Sequence, residues 1–213
     1  MTADRKVRVK ICGVTNREDA LAAIALGADA LGFNLFPGSK RHVLLDREAA
    51  WIQALPPFVT RVAVLVNVPL DEARRVVEHP AIDFVQFHGD EDAAYCAAFA
   101  ESGRPFIKAI RLRDAASVES AATFSTPHIL LDADAGAAFG GTGKLIDLAL
   151  AAECVRRHPA LHFILAGGLT PENIADAVRA VRPFAVDVAS GVEQSPRKKD
   201  AAKMAAFLRA ATS

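Results

Sequence analysis

The stretch FGGTGKLID, residues 139–147, has the composition of a loop that binds a phosphate. Its closely spaced glycines would let backbone amides approach an anion, and Lys144 would add a positive charge. The stretch does not fit the nucleotide-binding patterns. Ala138 and Leu145 replace the glycine and the Ser or Thr of a P-loop, and Ile146 replaces the last glycine of the dinucleotide pattern. Two interpretations remain open: a loop for another phosphate, or an ordinary flexible turn.

Three residues that could take part in proton transfer lie in apolar, strand-like segments. Cys12 ends VRVKIC, Asp132 lies in HILLDAD, and Asp187 lies in AVDVASG. A positioned thiol or carboxyl can act as a general base or a general acid, and a buried carboxyl holds its proton more tightly. Asp134, which follows Asp132 in the same segment, fits a turn cap better. For Asp187 a purely structural carboxylate is the alternative.

The elements that would position these residues form a repeating pattern of short strand and helix. The strand-like segments are rich in Val, Ile and Phe, which is typical of strands buried on both faces. They are VRVKICG, ALGFN, RVAVLVN, FVQFHG, FIKAIRL, HILLDAD, FILAGGL and AVDVASGV. Helical segments with start and stop signals separate them. Thr15 and Glu18, for example, predict a capping box at the start of the first helix.

Strand and helix repeated about eight times predict an α/β fold, a single (β/α)₈ TIM barrel over residues 1–213. An open, doubly wound sheet is the alternative, because periodicity does not show whether a sheet closes. In such a barrel the functional groups lie on the loops that follow the strands. Cys12 is therefore expected to face the pocket, and Lys10 shares its side, since alternate residues of a strand point to opposite faces.

Loops that contain glycine follow the last three predicted strands. Gly141 and Gly143 follow the sixth strand, Gly168 ends the seventh, and Ser190 and Gly191 follow the eighth. Phosphate sites in these barrels are commonly built from such loops, where backbone N–H groups are free to bind an anion. The sequence therefore predicts a site for the phosphate of a small substrate.

Composition and charge exclude several classes of partner. The chain has 213 residues, with 25 Lys and Arg against 25 Asp and Glu, so its formal net charge is +0. No basic excess points to nucleic acid or to an anionic membrane surface. We see no apolar run near the N-terminus that would predict a signal peptide or membrane anchor. Three cysteines without CxxC spacing predict a reducing, cytoplasmic location. Cys96 and Cys154 lie in helical segments and are expected to pack as small apolar residues.

Motifs along nearly the whole chain resemble those of the phosphoribosylanthranilate isomerases of tryptophan biosynthesis. They are, in order, KICGVTN, GFNLFPGSKR, VQFHGDE, LLDAD, GGTGK, LAGGLTPENI and VDVASGVE. The resemblance implies an Amadori rearrangement without metal or cofactor, in which an N-linked phosphoribosyl aldose opens and becomes a 1-amino-1-deoxyribulose phosphate. It implies Cys12 as general base, Asp132 as general acid, and Arg41 as the group that binds the anthranilate carboxylate. Leu148 and Ala189 depart from the pattern, where Trp and Ser are usual.

As a general base, the Cys12 thiol would need a lower pKa than an ordinary cysteine. A general base must lose its proton near neutral pH, and an ordinary cysteine does so only at about pH 8.5. We therefore expect nearby positive charge or helix dipoles to lower the pKa of the Cys12 thiol.

Other sugar-phosphate barrels are alternatives. Metal-dependent epimerases need several His and Asp at strand ends, but of the six histidines only His88 clearly ends a strand, so we expect no metal site. Indole-glycerol-phosphate synthases rely on strand lysines and a glutamate; Lys10 and Lys108 are present, but the surrounding motifs do not fit. A non-catalytic barrel that binds a phosphorylated metabolite also stays open. For His88 we expect a hydrogen bond that supports a functional group. The protein is expected to be a monomer or a homodimer.

Overall fold

Eight parallel strands form a closed barrel in this computed structural model, which describes residues 7–133 and 145–213. Each strand pairs with the next along the chain, and β8 pairs with β1. The barrel strands are β1 Arg8–Cys12, β2 Ala30–Asn34, β3 Thr60–Leu65, β4 Phe84–Phe87, β5 Phe106–Leu112, β6 His128–Ala133, β7 His162–Leu165 and β8 Ala185–Val188. The predicted (β/α)₈ barrel is confirmed, and the pairing of β1 with β8 excludes the open sheet.

Helices alternate with the strands around the outside of the barrel. They are α1 Arg17–Ala25, α2 Leu45–Gln53, α3 Leu70–Glu78, α4 Ala93–Ala100, α5 Ala115–Ser120, α6 Leu148–Arg157, α7 Ile174–Val181 and α8 Ala201–Ala211. A short hairpin of β9, Glu193–Ser195, and β10, Lys198–Lys199, lies between β8 and α8. Among the helices of the described ranges, none is long and apolar enough to cross a membrane.

The start of α1 differs from the predicted capping box. Asn16, not Thr15, is the N-cap, and its side chain accepts a hydrogen bond of 2.8 Å from the Asp19 backbone N–H. Asn16 also donates to the Asp19 carboxylate at 2.9 Å. The Thr15 hydroxyl instead donates to the Arg197 carbonyl at 2.9 Å. The predicted pair of Thr15 and Glu18 was therefore wrong by one residue, because Thr15 contacts the distant hairpin rather than its own helix.

Strand alternation separates two apolar layers. Val9 and Ile11 of β1 belong to the large core cluster, together with α1 residues such as Ala20 and Ala23. A smaller cluster, formed by inward-facing residues, fills the barrel interior: Val62, Ile107, Ala109, Leu130, Ile164, Ala166 and Ala185. Lys10 shares the inward parity and pairs in register with Ala30 on one side and Asp187 on the other. The barrel interior is thus mostly apolar, and it is charged where Lys10 of β1 lies beside Asp187 of β8.

Aromatic rings pack tightly where β4 and β5 meet α4. The ring centroid of Phe87 lies 5.0 Å from that of Phe99 and 5.4 Å from that of Phe106. Phe99 also meets Phe106 edge-on at 5.4 Å, and none of its surface is exposed. Edge-to-face contacts of this kind add to the free energy gained by burying apolar area.

We expect Phe99→Ala to lower the free energy of unfolding by about 3–5 kcal/mol, because it removes a buried ring and leaves a cavity. Phe58→Ala is the matched control. Phe58 is 102% exposed, and its loss should change stability by no more than about 0.5 kcal/mol. Urea unfolding followed by circular dichroism measures both variants. Equal stability of the two variants would contradict this account of the core.

Candidate active site

The carboxyl ends of the strands surround a cavity of about 850 Å³. Every predicted site residue that falls within the described ranges lines it: Cys12, Arg41, Asp132, Asp187, Gly168, Ser190 and Gly191. The two remaining predicted residues, Gly141 and Gly143, lie outside the described residues. The structure therefore brings together side chains from β1, β6 and β8 with loops that are distant in the sequence.

A buried ion pair lies beside the thiol. Lys10 Nζ lies 2.7 Å from Asp187 Oδ1, and both residues are almost fully buried. Lys10 Nζ and Cys12 Sγ also lie on the same side of the strand, both close to Gly32. Gly32 on β2 leaves room for both groups, since a Cβ there would lie 2.7 Å from Cys12 Sγ and 3.0 Å from Lys10 Nζ. Burial works to lower the pKa of Lys10, but Asp187 and Cys12 outweigh it and the pKa is raised. Lys10 therefore stays an ammonium.

The pKa of the Cys12 thiol is raised, so the expectation of a lowered pKa was wrong for the free protein. Burial is the largest cause, because it penalises the thiolate. Lys10 and Lys199 act in the opposite direction, and the Asp187 carboxylate adds to the effect of burial. The two cations are the positive charge that the sequence argument required. They do not outweigh desolvation while the site holds no substrate.

Asp132 is held by two hydrogen-bond donors. Its Oδ1 accepts from the Ala133 backbone N–H at 2.8 Å, and its Oδ2 lies 3.1 Å from His88 Nε2. The Gln86 side-chain nitrogen lies 2.8 Å from His88 Nδ1 and donates to it, which leaves the ring proton on Nε2, directed at Asp132. His88 therefore makes the expected hydrogen bond to one of the predicted site residues. The parity of VQFHG places Gln86 beside His88, but the sequence argument did not identify it.

Arg41 reaches the cavity as one half of a bidentate ion pair. Its Nε donates to Glu193 Oε1 at 2.7 Å, and its Nη2 donates to Oε2 at 2.6 Å. The hydrogen bonds to Glu193 raise the pKa of Arg41. Burial works to raise the pKa of Glu193, but Arg41 and Lys199 outweigh it and the pKa is lowered. Arg41 was predicted from the sequence. Glu193 was not, although it ends the motif VDVASGVE.

The loops after β7 and β8 meet at one side of the cavity. A Cβ on Gly191 would lie 2.0 Å from the Leu169 carbonyl oxygen, so only glycine allows the two loops to pack this closely. A short 3₁₀ helix, Ser190–Val192, follows β8. Gly168 is fixed by Asn173, whose side-chain amide donates to its carbonyl at 2.9 Å. Ile146, which follows the undescribed residues, donates its N–H to the Gly167 carbonyl at 3.3 Å. Of the three loops expected to form a phosphate site, those after β7 and β8 therefore meet, and the glycines of the loop after β6 lie outside the described residues.

Within residues 7–133 and 145–213, no group of three or more His, Cys, Asp or Glu side chains is arranged to hold a metal ion.

The sequence is similar to known isomerases over nearly its full length. The family model for N-(5'-phosphoribosyl)anthranilate (PRA) isomerase matches residues 9–210. The N-(5'-phosphoribosyl)anthranilate isomerase of Neisseria meningitidis serogroup B is 47% identical over 209 residues, which cover 97% of each chain.

Solved structures agree with the sequence comparison. The phosphoribosyl anthranilate isomerase of Thermotoga maritima superposes with a TM-score of 0.86 at 39% identity, covering 96% of this chain and 98% of its own. A second solved structure superposes with a TM-score of 0.83 at 38% identity, covering 96% of this chain and 98% of its own. It is a phosphoribosyl anthranilate isomerase in complex with reduced 1-(o-carboxyphenylamino)-1-deoxyribulose 5-phosphate. With the family model spanning the barrel and its rim, the chain belongs to the N-(5'-phosphoribosyl)anthranilate isomerase family.

Proposed function

We propose that the protein converts N-(5-phosphoribosyl)anthranilate to 1-(2-carboxyphenylamino)-1-deoxyribulose 5-phosphate, with residues 1–213 acting as one catalytic domain. One observation carries the proposal: a single cavity is lined by a thiol, a carboxyl and two regions suited to anions. The substrate has an anion at each end and reacts between them. We place the enzyme in the cytoplasm, as a monomer or homodimer.

Arg41 is proposed to bind the anthranilate carboxylate. A guanidinium has five N–H donors in one plane, and Glu193 takes those of Nε and one of Nη2. The edge formed by Nη1 and the second Nη2 hydrogen has no protein partner in the part of the chain that the structure describes. That edge suits a second, two-pronged carboxylate contact. Glu193 holds the plane of the guanidinium, so little conformational entropy is lost when the substrate binds.

The loops after β7 and β8 are proposed to bind the phosphate. Gly168, Ser190 and Gly191 line the cavity and offer backbone amides, and glycines let an anion approach the backbone closely. Gly141 and Gly143, which lie outside the described residues, are assigned to the same site on the sequence pattern. Asp187 uses Oδ1 to bind Lys10. We assign its second oxygen to accept a hydrogen bond from a ribose hydroxyl.

Ring opening is assigned to Asp132. In its protonated form it donates to the ribose ring oxygen while the C1′–O bond breaks and the anthranilate nitrogen forms a double bond to C1′. The product of this step is a protonated Schiff base. Asp132 is left as a carboxylate, which accepts hydrogen bonds from His88 Nε2 and the Ala133 N–H. Both donors are already in place for the carboxylate that forms, so no rearrangement is needed at this step.

Proton abstraction is assigned to Cys12. Burial raises the pKa of the thiol. The positive charge of the Schiff base then adds to that of Lys10, so that the thiol releases its proton to solvent. The resulting thiolate removes the proton from C2′, and the electrons of the C–H bond form the C1′–C2′ double bond of an enolamine as the C=N double bond becomes single. The enolamine becomes the ketone when C1′ takes up a proton and the C2′ hydroxyl releases one. The charge of the Schiff base also increases the acidity of the C2′ proton.

Removing either group should abolish most of the turnover. We expect Cys12→Ser and Asp132→Asn each to lower kcat by at least about 10²- to 10⁴-fold, the usual value of a positioned proton transfer. Affinity for the reduced product should change little. Loss of the fluorescence of the anthranilate-linked substrate measures turnover. Cys96→Ala, at a fully buried helical cysteine, is the control and should keep kcat. Full activity of Cys12→Ser would refute the assignment.

The pH dependence follows from the burial of Cys12. Because burial raises the pKa of the thiol, kcat/KM should rise with pH up to and beyond about pH 8.5, the ordinary cysteine value. Lys10→Met removes a charge that lowers this pKa, so the rising limb should move to higher pH. Lys198→Met, at an exposed lysine, should leave the limb in place. A rise of kcat/KM that is complete well below about pH 8.5, and that Lys10→Met does not shift, would contradict this account.

A further inference from the structure

Lys199 contacts three different parts of the site with one buried ammonium. Its Nζ donates to the Cys12 carbonyl at 2.6 Å, to the Ala189 carbonyl at 3.0 Å and to Glu193 Oε1 at 3.0 Å. Three acceptors take the three donors that an ammonium offers. No part of the Lys199 side chain is exposed, so it cannot bind substrate itself.

Each of these acceptors belongs to a different functional element. The Cys12 carbonyl ends β1, the strand that carries the thiol. The Ala189 carbonyl precedes Ser190, where the loop assigned to the phosphate begins. Glu193 Oε1 also accepts from Arg41 Nε, so it connects the ammonium to the guanidinium. The ammonium therefore fixes the distance between the phosphate loop and Arg41.

The position of Lys199 is itself fixed from outside the site. Its backbone N–H donates to Asp19 Oδ2 at 2.8 Å, in the first turn of α1. The neighbouring Arg197 is bound through its carbonyl by the Thr15 hydroxyl, and its Nη1 donates to the His42 carbonyl at 2.8 Å. The hairpin of β9 and β10 is thus attached to α1 and to the loop after β2.

Charge favours an anionic ligand next to this group. Arg41 and Lys199 are two cations, and the Glu193 carboxylate bonds to both of them. The three groups carry an excess of one positive charge in a largely buried place. A substrate carboxylate on the outer edge of Arg41 would neutralise it, which is worth more where water is scarce.

We propose that Lys199 is a positioning residue that makes the enzyme selective for substrates with both a phosphate and a carboxylate. This inference rests on the proposed function. It predicts that loss of the ammonium releases Glu193 and with it Arg41, so that the site no longer distinguishes a substrate with the carboxylate from one without.

The test compares kcat/KM for N-(5-phosphoribosyl)anthranilate with kcat/KM for N-(5-phosphoribosyl)aniline, which lacks the carboxylate. We expect Lys199→Met to reduce this ratio about tenfold or more, the value of one charge-assisted hydrogen bond. Most of the change should come from a higher KM for N-(5-phosphoribosyl)anthranilate. Competitive inhibition by inorganic phosphate should weaken as well, because Ala189 loses its donor. A merely structural role would lower the rates for both substrates equally.

Lys198→Met is the matched control, since Lys198 is the exposed neighbour on the same short strand. If Lys199→Met does not fold, Lys199→Gln, which keeps donors without the charge, is measured instead and should also lose selectivity. If a folded Lys199 variant shows the same ratio of kcat/KM for the two substrates as Lys198→Met, this inference is overturned and the proposed function is unaffected. Absence of turnover by the wild type would overturn the proposed function and this inference with it.

Discussion

The pairing of β1 with β8 is the interaction on which the site depends. It closes the barrel, and its register places Lys10 directly beside Asp187. A buried ammonium is tolerated only with such a partner, because an isolated charge inside a protein is costly. Closure also brings the end of β1 next to the loop after β8. Cys12 and Ser190 therefore share one rim although most of the chain separates them.

In the described part of the chain, three cations and the two carboxylates that pair with them lie around one thiol. Lys10, Lys199 and Arg41 are cations, and Asp187 and Glu193 are the carboxylates that pair with them. The pKa of Cys12 is nevertheless raised, because burial outweighs the attraction of these cations for the thiolate. This balance suits a base that becomes active only when substrate is present. In the proposed mechanism a cationic Schiff base would shift this balance toward the thiolate.

Local pattern was sufficient to predict the barrel and much of its rim. Alternation in VRVKIC placed Lys10 and Cys12 on the inner side, and the glycines after the last strands marked the loops that meet. Partners that are distant in the sequence could not be found in this way. Glu193 is 152 residues from Arg41, and nothing in either segment shows that they pair. The direction of the thiol pKa was also beyond the sequence, because it depends on how burial and the charges of Lys10, Asp187 and Lys199 add up in space.

The central claim is that Cys12 takes a proton from C2′ of an opened substrate. It is tested most directly with substrate that carries deuterium at C2′, converted by the wild-type enzyme in ordinary water, with the product analysed by NMR. A thiol base exchanges its proton with solvent, so we expect the product of the wild type to carry less than one deuterium at C1′, and we expect Cys12→Ser to remove almost no deuterium from C2′. Removal of the C2′ deuterium by Cys12→Ser at the rate of the wild type would mean that the thiol is not the base, and would contradict the claim.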